Sequence, residues 1–182
     1  MSSSCTAIYC WQRWKKLNEM VIRRQNENGI EFADIEPIEA DLLRQVPAVC
    51  ESGESGRSQE RLFSKPVDAS EAQFLNDWDE YVRPELRHLF LSAKNTFSED
   101  LAQLASGPGR LGRVVVPKAH ADAWLNALNQ ARLILATKFN FTDRELSMHE
   151  RPKWFSRRDM ILQQINFYAE IQERIIDVVM DE

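Results

Sequence analysis

The residues best suited to bind a charged ligand lie in the stretch HERPKWFSRRD, residues 149–159, where cationic and aromatic side chains are interleaved. Guanidinium and ammonium groups bind phosphate and carboxylate, and a neighbouring aromatic ring offers a surface for stacking. The stretch is therefore a candidate site for an anion or an acidic partner. Its candidate contact residues are Arg151, Lys153, Trp154, Arg157 and Arg158.

The start of the following helix bears on this hypothesis. Ser156 is a favoured N-cap residue, and Asp159 stands three positions later, as in a capping box. Arg157 and Arg158 then fall in the first turn, where the helix dipole disfavours a cation by about 0.3–1 kcal/mol. A bound anion would offset this cost. A solvated turn, in which water and salt screen the charge, is the simpler interpretation. The bound anion and the solvated turn both remain open.

A second chemical feature is the arginine in AWLNALNQARLILATKF, residues 123–139. At about 100° per residue, Arg132 lies in the middle of the apolar stripe of this helix, and Asn129 lies about 60° away. Burying a bare guanidinium costs several kcal/mol, so either its stem lies along the core while its head reaches water at a rim, or a carboxylate from another helix pairs with it. The candidate carboxylates, with the first preferred, are Glu39, Glu170 and Glu173.

Two interpretations of Arg132, Asn129 and Glu39 follow. In the structural one, they form an internal polar network that fixes the register of neighbouring helices. In the functional one, they line a buried polar pocket that receives a ligand or a peptide terminus.

Other motifs give no cofactor or metal prediction. GPGRLG, residues 107–112, matches the glycine pattern of dinucleotide-binding loops. However, a predicted helix precedes it and a predicted strand follows it, which reverses the order that the motif requires. The histidines His88, His120 and His149 lack partners at the short spacings of zinc sites. We therefore expect no cofactor, no metal and no catalytic residue.

The elements that must position these residues are mainly helical. Apolar residues recur at helical spacing and predict a mainly α fold, a bundle of about five or six helices. Two β-prone runs, residues 21–24 and 30–35, flank Asn28-Gly29 and predict a small N-terminal β-hairpin, since both turn residues adopt positive φ readily. VVVP, residues 114–117, is a candidate third strand.

Prolines set two of the expected helix boundaries. Pro37 suits the first turn of a helix that we expect to end at Pro47. Pro84 is expected to begin a separate helix. The long central helix is predicted over about residues 119–138 and the last one over about residues 156–181.

The predicted organisation is a single helical domain over residues 20–182. Within it, CESGESGRS, residues 50–58, is rich in glycine and serine and predicts a mobile linker. Residues 1–19 show no clean periodicity, and we expect them to be a partly disordered N-terminal extension.

Composition narrows the class of protein. The chain has 182 residues and a net charge of −5, which argues against a nucleic-acid-binding protein because these usually carry a basic excess. No run approaches about 18 apolar residues, so no membrane span is predicted. Three cysteines without a CxxC pair are typical of reduced thiols. We therefore expect a cytoplasmic protein.

Three stretches resemble a bacterial family known only as a domain of unknown function. GIEFADIEPIEADLLRQV resembles its hairpin strand followed by P-x-E-A-x-L-L, and NFYAEIQERII resembles its closing helix. VVVPKAHADAWLNALNQARLILATKF resembles its central signature, W-L-x-A-L-N-x-x-R-L-x-L-x-T. The gene of this family often neighbours that of ClpS, the adaptor that delivers substrates to the Clp protease. The resemblance implies a protease-linked context and transfers no catalytic residue.

One functional hypothesis leads, and two alternatives accompany it. We expect a non-enzymatic interaction or adaptor protein, with Clp protease components or a second copy of the chain as partner. The first alternative is a nucleic-acid-binding transcriptional regulator. It rests on a basic-aromatic arm, residues 11–16, and on the basic stretch 149–159, and it is opposed by the acidic net charge. The second is an enzyme with a polar pocket between helices, which rests on Arg132 and Asn129.

Overall fold

A small antiparallel sheet packs against a helix bundle, as the sequence predicts. In a computed structural model, the described residues are 20–53, 56–65, 72–107, 110–147 and 156–180. The strands are β1 (Val21–Asn26), β2 (Gly29–Ile35), β3 (Ala105–Gly107) and β4 (Arg110–Pro117). Their order in the sheet is β1–β2–β4–β3. The predicted third strand, residues 114–117, is part of β4 and pairs with the hairpin, and the short strand β3 pairs with the other edge of β4.

The hairpin turn differs from the prediction. The two loop residues are Glu27 and Asn28, because Asn26 pairs with Gly29. Neither Asn28 nor Gly29 has a positive φ. Instead, the Oδ1 atom of Asn26 accepts a hydrogen bond from the backbone N–H of Asn28 at 2.9 Å. This side-chain contact closes the turn without left-handed backbone.

The described part of the chain contains seven α-helices. They are α1 (Pro37–Glu51), α2 (Gly56–Leu62), α3 (Ala72–Asp77), α4 (Arg83–Leu101), α5 (Ala121–Lys138), α6 (Asp143–Ser147) and α7 (Arg157–Met180). A π-helical turn, Trp78–Val82, joins α3 to α4, and a 3₁₀ turn, Lys118–His120, leads from β4 into α5. None of the described helices is long and apolar enough to cross a membrane.

Pro47 lies inside α1, so the prediction that it ends this helix is wrong. A proline removes one backbone hydrogen bond. The helix nevertheless continues, because Cys50 in its last turn is buried in the core. Of the predicted linker 50–58, the first two residues therefore belong to α1 and residues 56–58 belong to α2. The mobility of the linker stays a prediction.

A break in the helix was expected before Pro84. The structure has instead a change from α-helical to π-helical hydrogen bonding. α3, the π turn and α4 form one continuous rod over residues 72–101. The backbone N–H of Arg83 bonds to the carbonyl of Trp78, five residues earlier, which is the π pattern. The wider turn accommodates Pro84, which lacks an N–H and occupies the first turn of α4.

The core is organised around α5. This helix packs against α1, α2, α4 and α7, so the two long C-terminal helices lie against each other. Trp124 of α5 is fully buried. Its ring centroid lies 4.6 Å from that of Phe32 on β2 and 4.4 Å from that of Phe97 on α4. One indole therefore joins the sheet, the rod and the central helix.

We predict that Gly53→Ala destabilises the fold. A Cβ atom at Gly53 would lie 2.3 Å from Cδ1 of Ile134 on α5, so an added methyl group overpacks the site. The free energy of unfolding, measured by urea denaturation, should fall by about 1–3 kcal/mol. Ile134→Ala removes the clashing atoms, so the double variant should lose less stability than the sum of the two single variants. Strictly additive losses would contradict the prediction.

Candidate functional site

Arg132 contacts an amide rather than a carboxylate. Its Nη1 atom donates a hydrogen bond to Oε1 of Gln172 on α7 at 2.6 Å, and Nε2 of Gln172 donates to the carbonyl of Leu125 at 2.9 Å. Partial burial lowers the pKa of Arg132. The partner is thus Gln172 and not the predicted Glu39. The arginine is half-buried, and its Nε atom is buried without a hydrogen-bond partner among the described residues.

The buried stripe of α5 is rotated relative to the predicted one. Its centre lies near Ala131, about 100° from Arg132, because the alanines of this helix are buried together with its large residues. Asn129 is therefore exposed. The buried polar side chain is Gln130, whose Nε2 atom donates to the carbonyl of Phe90 at 3.4 Å.

Glu39 is fully buried at the start of α1. Its Oε2 atom accepts the backbone N–H of Glu36 at 2.8 Å in a capping box. The carboxylate thus stabilises the N-terminus of its own helix. Arg132, Asn129 and Glu39, predicted as one network, have three different surroundings.

The predicted cationic cluster lies only partly within the described residues. Arg151, Lys153 and Trp154 lie outside them. Arg157 is exposed, and its guanidinium carbon lies 5.8 Å from the ring centroid of Phe139. Its role in binding an anion stays a prediction.

Arg158 makes its contacts within the chain. Its guanidinium donates to the carbonyls of Phe139 and Asn140, the latter at 3.2 Å, and to Oε1 of Glu145 at 2.8 Å. The carbon of the same group lies 4.2 Å from the ring centroid of Phe141. The two carbonyls follow the last turn of α5, so Arg158 closes that helix end and joins it to α6.

The predicted cap of α7 is confirmed. Oδ2 of Asp159 accepts the backbone N–H of Ser156 at 3.0 Å, and Oγ of Ser156 accepts the N–H of Asp159 at 3.1 Å. The Asp159 carboxylate places a negative charge in the first turn beside Arg157 and Arg158. It therefore offsets the unfavourable placement of these two cations without a bound anion.

A buried carboxylate that the sequence did not reveal joins α4 to α5. Oδ2 of Asp100 accepts the indole N–H of Trp124 at 2.9 Å, and both oxygens of Asp100 lie 3.0 Å from Nδ1 of His120. The carboxylate fixes the orientation of the imidazole. The signal available in the sequence was that a tryptophan on a buried face needs an acceptor for its N–H.

A cavity of about 330 Å³ lies where α2 and α4 meet α5 and the end of α1. A pocket between helices was predicted beside Arg132, whereas this cavity lies beside Gln130, about 160° away around α5. Phe63 and Phe90 stack in its wall with their ring centroids 5.5 Å apart. The apolar lining comprises Cys50, Gly53, Leu62, Phe63, Phe90 and Leu91.

The polar side chains at this cavity are cationic or neutral, and none of its described lining residues is acidic. They are Gln59, Arg87, Lys94 and Gln130. The Nζ atom of Lys94 lies 3.0 Å from Oε1 of Glu51, which stands outside the cavity. The guanidinium carbon of Arg87 lies 5.6 Å from the centroid of Phe63. The cavity therefore combines an apolar interior with positive charge.

The thiol of Cys50 forms part of the cavity wall and is unsuited to act as a nucleophile. Burial raises the pKa of its thiol to about 12, so the thiol is neutral at physiological pH. Its Sγ atom donates a weak hydrogen bond to the carbonyl of Ala127 at 3.6 Å. Nucleophilic chemistry needs a thiolate, and this environment disfavours it.

The rod also carries apolar side chains on its surface, outside the cavity lining. Phe74 and Tyr81 are each 63% exposed, and Val82 and Leu89 are exposed as well. Together with the half-buried Trp78 they recur at spacings typical of one helix face. We call these five residues the aromatic face.

The fold and these surfaces define a mainly helical domain with a small antiparallel sheet, an inter-helix cavity and an exposed apolar rod. The family model for a domain of unknown function (DUF2017) matches residues 20–179, and the chain belongs to this family. No curated protein and no solved structure matches the chain.

We predict that the Glu145 contact makes the stability of the fold depend on acid pH. The backbone N–H of Thr142, the Arg158 guanidinium and the Thr142 hydroxyl lower the pKa of Glu145 from 4.5 to about 2. The contribution is therefore complete above pH 4.5 and is lost as the pH falls towards 2. The difference in urea midpoint between the parent chain and Glu145→Gln should shrink over this range.

The control for this experiment is Glu173→Gln, which removes an exposed carboxylate on α7. A Glu145→Gln difference that stays constant from neutral pH to pH 2 would contradict the prediction.

We also predict that Asp100→Asn lowers the free energy of unfolding by about 1–3 kcal/mol, because the amide cannot accept hydrogen bonds on both of its terminal atoms. The measurement is chemical denaturation at neutral pH. Glu99→Gln, an exposed change at the neighbouring position, is the matched control. Equal stability of the two variants would show that the buried carboxylate contributes nothing.

Proposed function

We propose that this protein is a non-enzymatic interaction protein that acts as an adaptor, and that the aromatic face is its binding surface. The observation that supports this most is the exposure of Phe74 and Tyr81, each 63% accessible on one rod. Aromatic side chains dominate the energetics of protein interfaces because they bury a large area at a small entropic cost. Exposed clusters of this kind are typical of interaction sites.

The way the rod is anchored supports the same proposal. The buried residues of α4 all lie in its second half, from Ala93 to Leu101. None of the described side chains at positions 74–92 is buried. The first half of the rod therefore contributes little to the core, and its apolar side chains are available to a partner.

Charge indicates what kind of partner fits. The carboxylates of Asp77, Glu80 and Glu85 are exposed and make no ion pair with the described residues. Arg83 pairs with Asp79 at 3.2 Å, and both Arg83 and Arg87 place their guanidinium groups over the ring of Phe63. A segment with apolar side chains flanked by lysine or arginine would complement this surface. A second copy of the same face would bring carboxylates together, which disfavours a homodimer through it.

The Clp proteolysis machinery is the first partner to test. The resemblance to the family whose gene often neighbours that of ClpS supports this choice. An adaptor holds its partner without chemistry of its own, and an exposed helical rod suits that task. The proposal includes the cytoplasm of a bacterium as the place of action.

We predict that replacing the exposed aromatic residues weakens binding. Purified ClpS and the Clp ATPase are each titrated against the full chain, with affinity measured by calorimetry. Phe74→Ser with Tyr81→Ser should weaken binding at least tenfold, about the effect of losing a hot-spot residue. Both positions are exposed, so the free energy of unfolding should change by no more than about 0.5 kcal/mol for each.

The matched control is Met180→Ser, which removes a 75% exposed apolar side chain from α7. It should bind like the parent chain. If neither Clp component binds, the Clp assignment is wrong. If one binds and the double variant binds it equally well, the aromatic face is not the binding surface.

A further inference from the structure

We propose that the inter-helix cavity is a binding site for an apolar carboxylate, with the apolar body between α2 and α4 and the carboxylate at Arg87. This site is separate from the aromatic face, and nothing in the proposed adaptor function requires it. The ligand class is a molecule, or the end of a chain, that joins an aliphatic or aromatic group to a free carboxylate.

The size and lining of the cavity set the apolar part of the ligand. Its volume of about 330 Å³ lies within the range typical of small-molecule sites, roughly 300–1,000 Å³. Leu62, Phe63, Phe90 and Leu91 supply apolar walls. An aliphatic or aromatic group that enters would exchange water for these side chains, and this exchange supplies the main driving force.

Gln130 supplies an orienting polar group. It lines the cavity and is only 5% exposed. Its Nε2 atom donates to the carbonyl of Phe90 over a long 3.4 Å, and its Oε1 atom accepts no hydrogen bond from the described residues. Because Gln130 lines the cavity, a polar atom next to the ligand's apolar body could form a hydrogen bond with this amide.

Arg87 supplies the charge that selects a carboxylate. It makes no hydrogen bond or ion pair with the described residues, so its five N–H donors are available. Its stacking over Phe63 holds the guanidinium beside the cavity. Lys94 stands on the same face of α4, seven residues further on, but its charge is largely compensated by Glu51 at 3.0 Å, so Arg87 is the main source of positive charge. A carboxylate accepts a bidentate pair of hydrogen bonds from such a fork.

Two sources can provide this chemistry. One is a free small acid, and the other is the C-terminal residue of a polypeptide with a bulky apolar side chain. Both present the same carboxylate next to an apolar group, so the experiment contains an arm for each.

The test uses the full chain and calorimetric titration with matched pairs of probes. The small-acid arm compares 3-phenylpropionate with 3-phenylpropionamide. The peptide arm compares Gly-Ser-Gly-Phe bearing a free C-terminal carboxylate with the same peptide bearing a C-terminal amide. We expect at least one carboxylate to bind saturably and its amide counterpart to bind at least about tenfold more weakly, since a charge-assisted pair is lost. The arm that binds identifies the source.

Two variants locate the site. Arg87→Gln should weaken binding of the carboxylate at least about tenfold, whereas Arg57→Gln, an exposed change on α2 outside the cavity lining, should leave it unchanged. Phe74→Ser with Tyr81→Ser should also leave carboxylate binding unchanged, which separates this site from the aromatic face.

The proposal is overturned if neither carboxylate binds, if acids and amides bind equally, or if Arg87→Gln binds like the parent chain. Loss of carboxylate binding in the Phe74→Ser, Tyr81→Ser variant would overturn the assignment to the cavity.

Discussion

The burial of Trp124 is the interaction on which the rest of the structure depends. Its ring contacts Phe32 of the sheet and Phe97 of the rod, and its N–H reaches the buried carboxylate of Asp100. The sheet, α4 and α5 are therefore fixed relative to one another around a single side chain. Because α4 and α5 also line the cavity, the shape of the candidate ligand site follows from the same contact.

Much of the fold could be predicted because its signals are local. Pro37 at the start of α1 and the Ser156–Asp159 cap each depend on residues within one helical turn. The predictions that failed concern tertiary effects. Pro47 does not end α1, because the following turn is buried. Pro84 does not separate two helices, because the wider π turn before it accommodates a residue without an N–H. Whether the turn after Pro47 is buried depends on how the helix packs, which the sequence around the proline does not give.

The candidate site was harder to predict, because it depends on which face of each helix is buried. The predicted stripe on α5 was centred on Arg132, whereas burial of Ala127, Ala131 and Ile134 shifts the centre by about 100° and places Gln130 in the core instead. Asp100 and its partner His120 stand 20 residues apart on different elements, a spacing that no sequence motif records. The basic stretch was recognised, yet Arg158 proved to stabilise a helix end.

The buried side chains described in the continuous rod all lie near its end, between Ala93 and Leu101. Substitutions in its outer half, such as at Phe74 or Tyr81, should therefore change the surface with little loss of folding stability. The rod thus separates the side chains that hold the domain together from those that face outward.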